Sequence, residues 1–370
     1  MVRVLIRKIL CKLKRLNLYG DFVKEGELVK PSLRKQQILT AVIESYISTG
    51  EPVGSKTLLN ESGLGVSSAT IRNEMLDLTN KGFLHQPHTS AGRVPTEQGY
   101  RYYVDNVMKV TPVSSAGRDY IDSRLYENAD SPESVLQSAV GLVSELTDFA
   151  AVAITPSSED SRIHKISFVQ TGSHTAMVVL IASNGVIKTK LFRCEFEITP
   201  DILEIFDKAL NNIFSGRRLS SINRPFIQTA AAKLGELTLF MPSVLTAISE
   251  ACEKARQVSV CRSSLTKLLY TPDVNLPIVR NLIDFLNNER DLSKMLEKLS
   301  VDTTVSIGRE NSRIELAFSS VISTGYRIDN SPSGVLAVIG PLRMDYAKVV
   351  SVLEAVAECS GRIISELVKI

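Results

Sequence analysis

Cysteine and histidine are scarce in this 370-residue chain, and their placement excludes several chemistries. The five cysteines, Cys11, Cys194, Cys252, Cys261 and Cys359, are odd in number and scattered, without a Cys-x-x-Cys pair or histidines at zinc-ligand spacing. They read as reduced thiols in a cytoplasmic protein. The four histidines, His85, His88, His164 and His174, are a thin supply of general bases, and none falls in a Ser/His/Asp, His-Glu-x-x-His or phosphate-loop pattern. Gly63-Leu64-Gly65 lacks the third glycine of a dinucleotide loop. No catalytic residue, metal or cofactor is assigned, and the chain is not expected to be an enzyme.

Long apolar runs are missing too. Stretches such as Met177 to Ala182 fall far short of the roughly 20 residues that span a bilayer. Arg7, Lys8, Lys12 and Lys14 interrupt any hydrophobic leader. Membrane spanning and secretion are therefore not expected. The net charge is only +3, but it is unevenly spread: residues 1–110 hold 16 Lys/Arg against 10 Asp/Glu. That excess is a modest polyanion signal, and eight of the cations precede Pro31, so charge alone does not establish nucleic-acid binding.

With 44% hydrophobic and 22% charged residues, the composition is that of a globular protein of two or three domains. Residues 2–18 set Val4, Leu5, Ile9, Leu10, Leu13 and Leu16 among cations at roughly helical spacing. This gives either a basic amphipathic helix for a membrane surface or DNA backbone, or a frayed extension ahead of the folded part, with a linker up to residue 31. From Leu33 to Thr49, Ile38, Leu39, Val42, Ile43, Tyr46 and Ile47 share one helical face, and Gly50 with Pro52 ends the helix. A shorter helix begins at Ser55-Lys56. Ser67 or Ser68 then caps a third, with Ile71, Met75 and Leu78 inward and Thr70, Arg72 and Asn73 outward. Phe83-Leu84-His85 and Val94 read as hairpin arms around a tip carrying His88, Thr89, Ser90, Gly92 and Arg93.

Helix, helix, turn, helix, hairpin is a winged helix-turn-helix order. An α-helix fits the B-DNA major groove, where side chains near its N-terminus reach base edges. Ser55, Lys56, Ser67, Ser68, Thr70, Arg72 and Asn73, with His88, Ser90, Gly92 and Arg93 of the hairpin, form the candidate DNA-binding set. Arg93 suits phosphate or minor-groove contact, and Gly92 a close backbone approach. Singly, each also fits a solvated helix face or a surface turn. Tyr100, Tyr102 and Tyr103 on the helix from Thr96 to Met108 fit core or junction packing better than base stacking.

GEPVGSKTL (Gly50 to Leu58), SSATIRNEM (Ser67 to Met75) and HTSAGRVPTEQGYRYYVD (His88 to Asp105) resemble the HrcA family of heat-inducible transcription repressors. Phe214 to Arg218 and Val338 to Tyr346 add weaker matches. The resemblance implies a winged-helix domain that binds double-stranded DNA at an inverted-repeat operator, CIRCE, ahead of chaperonin and Hsp70-type chaperone operons. It also implies a homodimer, the chaperonin GroEL as the partner that keeps the repressor active, and release on heat shock. In the family a Gly and an Asn usually precede a Leu-Leu pair in the insertion; Ser264 and Lys267 stand there in this chain.

After a linker over Thr111 to Gly117, a helix capped by Ser131 runs to about Phe149. Strands follow over Ala150 to Ile154, Ile163 to Gln170, Thr175 to Ser183 and Val186 to Arg193, with an Asn184-Gly185 turn, then a helix from Thr199-Pro200 to Phe214. From Pro225 to about Leu299 the pattern is helical only. Strands over Thr303 to Ile307, Ile314 to Ser320, Val321 to Tyr326 and Val335 to Ile339 precede a closing helix from Tyr346 to Val368. The expected class is α+β: an extension over 1–31, a winged helix over 32–110, and a domain over 118–224 and 301–370 interrupted by a helical insertion over 225–300. The resemblance makes that domain GAF-like and its insertion a dimerisation domain. A second functional class stays open, a ligand-sensing GAF-type regulator.

Overall fold

The computed structural model describes residues 31–368 apart from 64, 155–160, 184, 236, 238–240, 258, 271–275 and 329–330. The expected basic helix over residues 2–18 lies outside the described residues, as does Asn184 of the expected turn. The class is mixed α and β. Among the described residues, no helix is long and apolar enough to cross a membrane.

Three helices open the chain: α1 (Leu33–Thr49), α2 (Ser55–Ser62) and α3 (Ser68–Asn80). The inward faces expected for α1 and α3 are buried, with Ile38, Leu39, Val42 and Ile43 of α1 in one cluster with Ile71, Met75 and Leu78 of α3. Each fully buried aliphatic side chain here contributes about 1.5–3 kcal/mol. Gly50 ends α1 in the left-handed region, its N–H returning to Tyr46 O. Strands β1 (Leu84–His85) and β2 (Val94–Pro95) pair antiparallel and lead into α4 (Glu97–Asn106). Tyr100 and Tyr103 of α4 are buried and Tyr102 is half-buried, which is the packing role expected of them.

The stretch expected to be a linker ends in a helix instead. Ser114 accepts the Gly117 N–H and starts α5 (Ser115–Tyr126). Of its residues only Ile121 and Leu125 are buried, a pattern too sparse to declare a helix. Helix α6 (Pro132–Thr147) follows, with the expected Ser131 cap closed reciprocally with Ser134.

Two separate sheets replace the single β-rich region. Strands β3 (Ala150–Ile154), β7 (Val260–Arg262), β8 (Thr304–Ile307), β9 (Ser319–Ile328) and β10 (Ser331–Pro341) form an antiparallel sheet of order β7-β3-β10-β9-β8. Both faces are covered. Ala151, Ala153, Ile322, Leu336 and Val338 face α6 and the last helix, α12 (Tyr346–Val368). Ala150, Val152, Val335, Ala337 and Ile339 face α10 (Leu276–Asn287) and α11 (Glu289–Leu296).

Strands β4 (Ile163–Gln170), β5 (Thr175–Ala182) and β6 (Ile187–Arg193) form their own antiparallel sheet. Helices α7 (Pro200–Phe214), α8 (Arg224–Leu234) and α9 (Pro242–Arg256) share a hydrophobic core with it that, among the described residues, draws on residues 163–255 alone. β3 ends at Ile154, and β7 pairs directly beside it with Val260 opposite Ile154. Residues 155–259 are thus an excursion between two neighbouring strands. The excursion differs from the expected 225–300 insertion: it includes three strands, and α10 and α11 belong to the interrupted domain. β7, inside the stretch read as helical only, was too short to show in the pattern. The expected strand over Ile314 to Ser320 is also corrected: Ile314–Leu316 is a 3-10 turn with Ile314 85% exposed, and β9 begins at Ser319. The Asn311 side chain holds that turn by donating to the Gly308 and Ser319 carbonyls.

Candidate nucleic-acid interface

Ser67 caps α3, its Oγ accepting the Thr70 N–H at 3.1 Å and meeting Thr70 Oγ1 at 2.9 Å. Ser68 Oγ lies 3.1 Å from Ser55 Oγ, so the two hydroxyls join the starts of α2 and α3. Four of the candidate side chains therefore bond in two pairs: Ser67 with Thr70 caps α3, and Ser55 with Ser68 fixes how α2 enters against it. Lys56, Arg72 and Asn73 are exposed.

The acidic side of α3 faces the other way. Asp77 pairs with Lys35 of α1 at 2.5 Å and with Lys81 at 3.1 Å, and Glu74 lies 3.6 Å from Lys35. Hydrogen bonds from Lys35 and then Lys81 hold the Asp77 carboxyl below its usual 3.8. With both carboxylates turned to lysines, the outward side of α3 presents Arg72 and Asn73 and no anion, as contact with phosphate requires.

The hairpin is pinned at its base. Val53, ahead of α2, pairs antiparallel with Arg93 through two backbone hydrogen bonds of 2.9 Å, adding a third extended segment beside β2. Arg93 is therefore not at a flexible tip: it is half-buried at the base, its Nε donating to Thr79 Oγ1 at 3.0 Å near the end of α3. Gly92 has a structural reason besides any ligand, because a Cβ there would come within 2.5 Å of the Val53 carbonyl. The tip is His88, Thr89 and Ser90, all exposed. Gln86, absent from the candidate set, shapes it by donating to the Thr89 and Ala91 carbonyls, each at 2.9 Å. A glutamine in a hairpin carries no sequence signal that separates such a brace from a solvated side chain.

Among the described residues no group of three or more His, Cys, Asp or Glu is placed to hold a metal ion. What the surface offers is an exposed Arg-Asn pair on a rigidly capped helix, flanked by Lys56 on one side and a braced polar hairpin on the other.

Comparison with other proteins adds identity to this geometry. A family model described as the HrcA protein C terminal domain matches residues 133–350. A protein of Moorella thermoacetica named heat-inducible transcription repressor HrcA is 32% identical over 337 residues, 90% of this chain and 98% of its own. A protein of the same name from Clostridium perfringens strain 13 is 34% identical over 330 residues, 87% of this chain and 96% of that one. A crystal structure described as that of a hypothetical protein aligns with a TM-score of 0.66 over 91% of this chain and 99% of the other, at 24% identity, and so shares the fold.

Proposed function

Because the chain belongs to the HrcA family of heat-inducible transcription repressors, we propose that its first helices and hairpin are a winged helix-turn-helix that reads half of an inverted-repeat operator. Transcription repression is its function; the reader, its site and its pairing are the proposal. The observation that carries it is the α3 surface, where Arg72 and Asn73 stand exposed just after a Ser67-capped turn while Glu74 and Asp77 are drawn off to Lys35 and Lys81. Arg72 and Asn73 read base edges, since Arg pairs bidentately with guanine and Asn with adenine. Lys56, His88 and Ser90 meet the backbone. Ser55, Ser67, Ser68, Thr70, Gly92 and Arg93 position these groups, with any of their hydroxyls or N–H groups at the α3 N-terminus left to meet phosphate.

One reader carries little charge. Residues 66–103 hold Arg72, Lys81, Arg93 and Arg101 against Glu74, Asp77 and Glu97, so a single copy binds DNA weakly and repression requires a homodimer. The outer face of the β4-β5-β6 sheet supports that pairing. Opposed there are Val169, Met177 and Leu191, then Ser167, Val179 and Thr189, then Lys165, Ile181 and Ile187, a face that is apolar along β5 and at Val169, Ile187 and Leu191, with Leu191 61% exposed. An isologous dimer covers such a face with its own copy. The five-stranded sheet with helices on both faces is the GAF-like domain, and residues 155–259 the inserted dimerisation domain. By family resemblance the operator is CIRCE, upstream of chaperonin and Hsp70-type genes, and GroEL is the partner that keeps the repressor competent. The comparisons lend no support to the ligand-sensing alternative.

Equilibrium titration of the purified protein on an inverted-repeat duplex and a scrambled duplex at one salt concentration tests the reading. Tighter binding of the repeat, with two protomers per duplex, is expected; equal affinity for both overturns it.

A further inference from the structure

We infer that Arg101 and Arg343 form a reciprocal clamp across the junction between the reader and the C-terminal domain, and that they are positioning residues for paired operator binding. The inference rests on the reading of α3 and the hairpin as the DNA reader. Each arginine leaves one unit and closes on the other.

Arg101 projects from α4. Its Nε donates to Glu310 Oε1 at 2.8 Å, and one terminal nitrogen donates both to Glu310 Oε2 and to the Val305 carbonyl at 2.5 Å. Its other terminal nitrogen meets Asp105 Oδ1 at 3.0 Å. The receiving carboxylate is anchored in turn, Glu310 Oε2 accepting the Ile307 N–H at 2.8 Å. This fork-to-fork geometry specifies direction as well as attachment.

Arg343 runs the opposite way, from the loop between β10 and α12. It donates to the Ile47 carbonyl at 3.2 Å, with its guanidinium 5.9 Å from the Tyr46 ring centroid. Ile47 O is one of the last four carbonyls of α1, which have no acceptor role inside the helix, and α1 has no basic residue in its own last turn. The cation that a helix C-terminus favours is thus supplied by the other domain. Between the clamp's two ends, Tyr100 of α4 lies against Tyr346 of α12 with ring centroids 5.6 Å apart. Glu97 accepts the Arg309 N–H at 3.2 Å, and a Cβ on Gly308 would fall 2.4 Å from the Glu97 carboxyl carbon.

The clamp therefore grips the reader by α1, which packs on α3, and by α4, which packs on α1. Apolar contact at the tyrosines attaches the reader to the C-terminal domain, but contact of that kind is non-directional. One forked contact, Arg101 on Glu310, and one single hydrogen bond, Arg343 on the Ile47 carbonyl, act on different helices and set its orientation. In a dimer, orientation decides whether the second α3 reaches its half-site once the first is bound, which is where a paired reader gains its affinity.

The test uses the full chain as wild type, as an Arg101→Ala/Arg343→Ala variant, and as an Arg101→Lys/Arg343→Lys variant. Each is titrated by fluorescence anisotropy with an inverted-repeat duplex and with a single half-site duplex, and its dimer is checked by sedimentation. The double alanine variant is expected to stay dimeric, hold the half-site as wild type does, and lose at least about tenfold on the repeat. The lysine variant, which keeps a cation facing Glu310 and the Ile47 carbonyl, is expected to recover part of that loss. Unchanged affinity for the repeat overturns the clamp, and so does equal loss on both duplexes, which marks a folding defect in the reader. A wild type that does not prefer the repeat to a scrambled duplex overturns the DNA-reading assignment itself and, with it, the inference.

Discussion

At the scale of single residues, Arg72 and Asn73 are the sharpest points of the account. Arg72→Ala and Asn73→Ala are each expected to weaken operator binding by about 1–3 kcal/mol while leaving the melting temperature unchanged, because neither side chain is buried. Gel shifts at fixed salt measure this, and unchanged affinity in both variants defeats the assignment. Gly92 tests the opposite kind of residue. Gly92→Ala forces a Cβ onto the Val53 carbonyl and is expected to cost about 1–3 kcal/mol of stability, as overpacking does, read as a lowered melting temperature. These two cases mark what residue types reveal. Which α3 residues face out followed from helical periodicity, so Arg72 and Asn73 were legible. The positions of Arg93 and Gly92 depend on Val53, some forty residues earlier, and a hairpin tip read locally cannot disclose a third segment pairing with its base.

At the scale of elements, helices with a clean apolar stripe were readable: α1, α7 and α12 span the stretches that periodicity and turn residues assign to them. Sheet membership was not. β5 reads as a continuous apolar run, Thr175 to Ala182, because its outward Met177, Val179 and Ile181 are as apolar as its inward Ala176, Val178 and Leu180. A strand of that composition does not show which sheet it joins, and a helical stretch between two β-rich stretches reads as an insertion into one sheet. The second apolar face is what the proposed dimer covers. Leu191→Glu is therefore expected to leave the fold intact by circular dichroism but convert the dimer to monomers by sedimentation equilibrium. A dimer that survives this change places the interface elsewhere.

The bond between α1 and α3 carries its own signature. The folded Asp77 carboxyl sits below 3.8, so its contribution is complete above that value and is lost as pH falls through the lower folded one. The acid-side decline in melting temperature is expected to be shallower in Asp77→Asn than in wild type. Identical declines exclude this pair as a stabilising link.

At the scale of the whole molecule, one hydrophobic cluster runs from Ile38 in α1 through Tyr100 to Ile364 in α12, so the reader shares its core with the C-terminal domain. Residues 163–255 form a core of their own. In the proposed dimer, heat has two places to act, the shared core and the excursion, and loss of either would separate the paired half-site contacts. The buried thiols give a way to watch them apart: burial pushes Cys252, in the excursion, up to about 12, and Cys359, in α12, also to about 12. In a Cys11→Ser background, both are expected to resist a thiol reagent at pH 8 until their own core opens, the order of labelling on heating showing which yields first. Operator binding is expected to fail at the temperature where the dimer comes apart, and added chaperonin to raise the fraction competent to bind; binding that persists well above dissociation rules out sensing by dimer loss. Two copies of this reader are proposed to act as one on a palindrome. Footprinting the purified protein on its own chaperone promoters tests it most directly: protection of both halves of an inverted repeat at the same protein concentration is the predicted result, and protection of one half alone, or none above the level on unrelated DNA, contradicts it.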